Sequence, residues 1–331
     1  MSYQRADTTW FAECGFGISL HWTAQSMPVS GPQKTFPDAV DTFNVQSLVA
    51  QIADCGANYL MFTATHARQM LPAPCAIVQQ VLPGRTCGRD LLGELADACS
   101  QKGLRFILYY NHSCNNADNP AWEHAVGYHN RHHESFADRL CALVTELSAR
   151  YGRRLAAWWF DSPYSLDSSG PIKGVTTELN GFQFPWQRFT AAAKTAHPQR
   201  LVTYNPGDRP DYWHYMYTSH QDYLAGEANI LAASPKSRWD DNGLQSHRWI
   251  CLDNPAWVHN RAETSLHPAR FSCEELTAYF RAAAGALTPV TVNVDVDQNG
   301  QILPESLNLL RQAFAGLARP VSSAAATHRP S

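Results

Sequence analysis

Two hydrophobic rhythms take turns along this chain. Short continuous apolar runs, each closed by a polar or aromatic tip, read as buried strands, and longer stretches with apolar residues every three or four positions read as amphipathic helices. The run Ala156-Ala157-Trp158-Trp159-Phe160 ends abruptly at Asp161, and Pro163 follows. Proline stops the strand there, so Asp161 belongs at its C-terminal tip. Runs of the same kind lie at 15–22, 58–66, 104–111, 201–205, 248–253 and 289–294, with His220-Gln221-Asp222-Tyr223 as a short sixth strand in chain order. Helical spacing occupies 45–55, 91–101, 132–151, 186–196, 273–286 and 304–317; in the third of these Phe136, Leu140, Leu143, Val144 and Leu147 share a face. Strand and helix alternating down a chain predict a parallel sheet with crossover helices. About eight such units fit a closed (β/α)8 TIM-type barrel, with the alternation becoming irregular after strands six and seven. There is no repeat, linker or break in composition, so residues 1–320 read as one domain and 321–331 as a disordered tail.

Composition narrows the partners. Of 331 residues, 44 % are hydrophobic and 17 % charged, which predicts a large globular core. The net charge is −3 with no basic cluster, so no nucleic acid is expected as partner. No apolar stretch is long enough to span a membrane, and the N-terminus lacks an apolar secretion core. The nine cysteines form no CxxC pair and read as reduced and buried. Together these features predict a cytoplasmic protein with no membrane partner; they leave the oligomeric state open. Ten tryptophans and thirteen tyrosines supply core volume, and also apolar platforms of the kind that meet sugar faces.

In a barrel the strand tips converge on one mouth, where catalytic groups belong. Here the tips read His21-Trp22, His66, Tyr110-Asn111-His112, Asp161, Asn205, Asp222 to Glu227, Asp253 and Asn293 to Asp295. Polar and aromatic groups mixed at one mouth suit a sugar, with its hydroxyl rim and flat apolar faces. Taken by itself, Asp161 fits either a catalytic group or a carboxylate capping the following turn.

Several motifs, in order, carry a family resemblance. Trp10-Phe11 and Gly15-Phe16-Gly17-Ile18-Ser19-Leu20-His21-Trp22 resemble the opening W-F and F-G-I-F-I-H-W-G of the α-L-fucosidases, family 29 of the glycoside hydrolases. Thr63-Ala64-Thr65-His66 resembles that family's T-x-K-H-H-D-G-F, and Gly103-Leu104 to Tyr109-Tyr110 its G-L-K-x-G-x-Y-Y-S. Tyr151-Gly152 to Trp159-Phe160-Asp161 resembles Y-G followed by W-F-D-G, whose aspartate is the nucleophile. Asp222 to Glu227 resembles a D-x-x-T-P-E element, and Val292-Asn293-Val294 with Gly300 to Pro304 the closing L-L-N-x-x-P-x-x-D-G-x-I-x-P. The match runs from residue 10 to about 315 and covers the catalytic barrel; the C-terminal β-sandwich that often follows it in the family is not expected in these 331 residues.

The resemblance implies a retaining exo-glycosidase working by double displacement. Asp161 would be the nucleophile and Glu227 the acid/base, with Glu178 and Asp253 as alternatives. His21, Trp22, His66, Tyr110, Asn111 and Trp159 would bind substrate; since Trp158 and Trp159 point to opposite sides of a strand, only one can face the mouth. The departures concern the sugar. The family's second histidine is Ala67, its D-G-F is Arg68-Gln69-Met70, the glycine after His-Trp is Thr23, and Asn205-Pro206 stands where an arginine is expected. An altered sugar specificity follows. The alternatives are a barrel enzyme of the same ancestry acting on a non-fucose sugar by hydrolysis, transfer or elimination, and a non-catalytic carbohydrate-binding relative.

No cofactor and no metal are expected. Asp295-x-Asp297-x-Asn299-Gly300 opens like a calcium loop, but Pro304 interrupts it and its twelfth position is Ser306 instead of glutamate. His129, His132, His133 and Glu134 read as the solvated start of a helix. No glycine-rich phosphate loop follows a strand.

Overall fold

In the computed structural model the described residues are 3–114, 119–129, 133–166, 181–207, 215–228, 230–231 and 236–315. Glu178 and the 321–331 tail lie outside them. Among the described residues seven strands are formed: β1 (Phe16–Leu20), β2 (Tyr59–Thr65), β3 (Arg105–Asn111), β4 (Leu155–Asp161), β5 (Leu201–Tyr204), β6 (Arg248–Cys251) and β7 (Val290–Asn293). They make one sheet in the order β5-β4-β3-β2-β1-β7-β6, and every pairing is parallel. Helices 45–54, 91–101, 133–151, 186–193, 273–285 and 304–315 supply the crossovers that the spacing predicts. Two begin on well-made caps: Asp90 accepts from Gly93 N at 2.9 Å, and Ser272 and Glu275 form a capping box. Among the described residues no helix is long and apolar enough to cross a membrane.

The sheet curls into a half-barrel consistent with an α/β barrel, but the expected eight-stranded closure is not formed among the described residues, because the short strand expected at 220–223 is not built. Its place between β5 and β6 is taken by the irregular segment 222–228. There Asp222 N donates to Val202 O, Leu224 N to Gln245 O, and Ala228 N to Trp249 O, at 2.8, 3.0 and 2.9 Å. Two features keep this segment from becoming a ladder. The Asp222 carboxylate itself accepts from Val202 N at 2.9 Å and from Ala6 N at 2.8 Å, replacing backbone partners. Gly226 has φ +74°, and a Cβ there would lie 2.3 Å from His247 O, so the backbone turns where a regular strand would run on.

Strand alternation sorts side chains into two layers. Trp158 and Phe160 of β4 and Tyr110 of β3 pack outward against the helices; Ala157 and Trp159 of β4 and Ile107 and Tyr109 of β3 fill the interior with Tyr59, Tyr223 and Trp249. Register is tight here, with Tyr109 opposite Trp159 and Asn111 opposite Asp161.

Gly17 on β1 makes this filling possible. A Cβ there would sit 2.2 Å from the Tyr59 ring, which is anchored by a 2.9 Å hydrogen bond between its hydroxyl and Thr291. Gly17→Ala is therefore expected to destabilise the fold by at least about 1–3 kcal/mol, the range of overpacked cores. A urea midpoint within error of the parent would show that the interior yields more easily than this packing implies.

Candidate active site

The site is built at the C-terminal end of β3, β4 and β5. Ser162 takes a left-handed φ of 57° directly after β4, so the chain leaves the sheet and exposes Asp161 at the strand's end. Three neutral donors hold its carboxylate. Tyr109 OH and Asn111 Nδ2 donate to Oδ2 at 2.6 and 2.9 Å, and Asn205 Nδ2 donates to Oδ1 at 2.9 Å. Burial, reinforced by Asp161 beside it, raises the Tyr109 phenol far above its ordinary pKa, so it stays protonated and remains a donor.

Asn205 also reaches the second carboxylate. The same Nδ2 donates to Glu227 Oε2 at 2.5 Å, so one amide nitrogen bridges the two acids. The two oxygens can be no farther apart than the sum of their distances to that nitrogen. Glu227 owes its position to the irregular segment, which Trp249 N fixes by donating to Gly226 O at 2.8 Å. Both carboxylate residues are half-buried, open enough for a ligand to reach.

Aromatic rings form the floor beneath them. Tyr109 stacks on Trp159 at 5.2 Å and 17°, and Trp249 meets Trp159 edge-on at 4.2 Å. Trp159 is wholly buried and its Nε1 donates to Ala225 O at 3.1 Å. His21 stacks on Trp249 at 5.4 Å, with His66 at 5.4 Å, Tyr109 at 4.9 Å and Trp257 at 5.5 Å around it.

A relay of hydrogen bonds sets the His21 tautomer. Trp249 Nε1 can only donate and does so to Ser19 Oγ at 2.7 Å. The Ser19 hydroxyl donates to Asn293 Oδ1 at 3.1 Å, which makes that oxygen the acceptor for His21 Nδ1–H at 2.8 Å. His21 Nε2 is then the acceptor nitrogen. Burial, with His66 alongside, pushes the His21 pKa down to about 3, so the ring is neutral at ordinary pH. Burial lowers His66 as well, against the opposing pull of Asp161.

The other residues singled out in the sequence fall as follows. Asn111 touches Asp161 directly, whereas Trp159 lies one layer below it under Tyr109. Trp22 and Tyr110 sit in the outer layer: Trp22 packs on Phe36, Phe43 and Phe62, and Tyr110 on Trp158 and Phe160. Asp253 is buried, which pushes its pKa up to about 7; its Oδ1 accepts from the backbone N–H groups of Asn254 and Asp295. Tyr109, Trp249, Trp257 and the bridging role of Asn205 are additions. Tyr109 was legible from parity, lying two residues before Asn111 on the same face; nothing in the pattern points to Trp257, which comes from a loop.

Tyr109→Phe removes one hydrogen bond to a charged acceptor and leaves the stacking intact. Such bonds contribute about 1.5–3 kcal/mol, so kcat/KM is expected to fall roughly 10- to 100-fold. An unchanged kcat/KM in steady-state assay would mean that the phenol does not matter to the charge on Asp161.

A curled parallel half-barrel of strands and helices with two bridged carboxylates over an aromatic floor has the architecture of a barrel glycosidase. A sequence profile described as alpha-L-fucosidase matches residues 32–314, and the chain belongs to the α-L-fucosidase family; the protein is a glycosidase. Solved structures share its fold at low identity. An endo-fucoidan hydrolase of glycoside hydrolase family 107 is 15% identical with a TM-score of 0.65, covering 93% of this chain and 92% of its own. The α-L-fucosidase AlfC from Lactobacillus casei, in complex with α-L-fucose product, is 17% identical with a TM-score of 0.61, covering 93% of this chain and 98% of its own. No curated protein matches the chain by sequence.

Proposed function

We propose that the protein is a retaining exo-glycosidase with Asp161 as nucleophile, Glu227 as acid/base, and a sugar specificity altered from that of a plain α-L-fucosidase. The observation that carries the mechanism is the Asn205 amide shared by the two carboxylates, at 2.9 Å from one and 2.5 Å from the other. That geometry keeps the two oxygens within the ~5–5.5 Å separation of retaining pairs; an inverting pair needs roughly 6.5–9.5 Å to admit a water.

In the first step an Asp161 oxygen attacks the anomeric carbon while Glu227 gives its proton to the leaving oxygen. The Asp161 negative charge is spent in the new ester bond. Glu227, now a carboxylate, then takes a proton from water as that water displaces Asp161 with the configuration restored. Tyr109, Asn111 and Asn205 fix the nucleophile's orientation and stabilise its charge as the ester breaks. Neutral His21 offers an acceptor to a sugar hydroxyl at no electrostatic cost.

The altered specificity rests on the residues after β2. Ala67, at left-handed φ 54°, carries no polar side chain, and Gln69 is fully buried with its amide oxygen 3.5 Å from the Tyr110 hydroxyl in the outer layer. Where the family resemblance implies a second histidine that meets a sugar hydroxyl, Ala67 has no polar group to offer, and a missing partner of that kind can cost ~10⁴-fold in discrimination.

A panel of aryl glycosides, combined with a fluorinated mechanism-based inhibitor and peptide mass spectrometry, tests both parts. The expected label is on Asp161, with an aryl glycoside other than the α-L-fucoside giving the highest kcat/KM. Label on another residue overturns the nucleophile, and a clear preference for the α-L-fucoside overturns the altered specificity.

A further inference from the structure

Beside the mouth, the loop following β6 folds back against the tip of β7 and brings two histidines onto Asp295. We propose that His259, His267 and Asp295 bind one divalent cation of the zinc class, pinning that loop to β7. One ligand atom from each residue lies within 4.8 Å of the others. Asp295 Oδ2 is 2.8 Å from His267 Nδ1 and 3.7 Å from His259 Nδ1. These distances bracket the roughly 3.3 Å edge of a tetrahedron with ~2.0–2.1 Å bonds to nitrogen and oxygen, so closure needs only small side-chain shifts.

The second observation is His259 itself. Its side chain is 1% exposed, its buried Nε2 has no hydrogen-bond partner, and its Nδ1 lies 3.7 Å from Asp295 Oδ2, beyond hydrogen-bond distance. A buried imidazole that makes no hydrogen bond is costly, and ligation through Nδ1, the nitrogen that faces Asp295, gives the ring a partner on that side. The surroundings are built as a supporting shell. Asn254 Nδ2 donates to Asp295 Oδ1 at 3.1 Å, and Asp253, whose Oδ1 accepts the Asp295 N–H at 2.9 Å, adds a second carboxylate with a buried, unpartnered Oδ2. Two imidazoles and a carboxylate select zinc-like ions over calcium or magnesium, which prefer all-oxygen sets. His267 is half-exposed, so solvent supplies the fourth ligand.

The cation's effect reaches the sugar site through the chain. Trp257, two residues before His259, meets both His21 and Trp249, and the His259 carbonyl accepts Met27 N at 2.8 Å. Fixing His259 therefore stiffens the Trp257 wall of the mouth.

The test is titration of chelator-treated full-length protein with zinc by calorimetry and with cobalt(II) by visible absorption. One equivalent is expected, with the intense bands of tetrahedral cobalt and a zinc-dependent rise in melting temperature. His267→Ala, at an exposed side chain, and His259→Gln should each weaken binding at least tenfold and abolish that rise, while circular dichroism stays that of the parent. Absence of saturable binding to the parent protein overturns the site. So does one equivalent bound with unchanged affinity by both variants, which would place the ion elsewhere.

Discussion

Asp161→Ala is expected to lower kcat by about 10⁴-fold or more while leaving sugar binding measurable by calorimetry. The variant loses the carboxylate proposed to form the ester and keeps the aromatic floor, since the rings of Trp159, Tyr109 and Trp249 pack on one another. Alanine is a cleaner probe than asparagine. The native carboxylate accepts at both oxygens, from Tyr109 and Asn111 on Oδ2 and from Asn205 on Oδ1. An asparagine would turn an N–H towards one of those donors and shift the neighbours as well as removing the charge. The alanine variant instead leaves a small space ringed by hydrogen-bond donors, suited to an anion. Added azide should enter it and attack the anomeric carbon once, giving a glycosyl azide of inverted configuration identifiable by NMR. Activity at parental level without azide would remove Asp161 from the mechanism.

The sequence made the frame of this protein legible because burial leaves a strong pattern. Each of the seven strands is a fully or almost fully buried run, and each crossover helix keeps its apolar stripe. The segment around Asp222 broke the pattern for a local reason: a carboxylate replaces backbone partners, and Gly226 must turn beside His247. Hydrophobicity does not record such side-chain substitution for a ladder. The site divides along the same line. Asp161 was visible as a carboxylate ending an apolar run. Its partners were less so, because identity at a strand tip does not say which way a side chain points. Parity does: with Asn111 and Asp161 facing in, Tyr109 faces in, and Tyr110 must join the outer layer. Trp22 follows the same rule, two residues after Leu20 on the outward face of the β1 run. Trp257 and the His259–Asp295 contact depend on where a long loop returns, which no local periodicity encodes.

Glu227→Ala should separate the two steps of the reaction in a way that no structural defect imitates. In the proposed mechanism glycosides with poor leaving groups need a proton from Glu227, so their turnover is expected to fall by about 10²–10⁴-fold, the usual contribution of a general acid. Dinitrophenyl glycosides leave without help; for them the first step persists and the glycosyl-enzyme accumulates because no base activates water. Azide, a nucleophile that needs no base, should then restore turnover and give a product of retained configuration, opposite to the outcome for Asp161→Ala. The limb of the pH–rate profile that belongs to the acid should flatten in the same variant. Asp253 is the competing carboxyl, since burial pushes its pKa up to about 7, within the useful range for an acid. Its geometry argues against it: Oδ1 is taken by the N–H groups of Asn254 and Asp295, whereas Glu227 shares the Asn205 amide nitrogen with Asp161. Asp253→Asn is thus expected to change kcat/KM only a few-fold and to keep both limbs of the profile. Azide rescue in Asp253→Asn together with an unaltered Glu227→Ala would exchange the two roles.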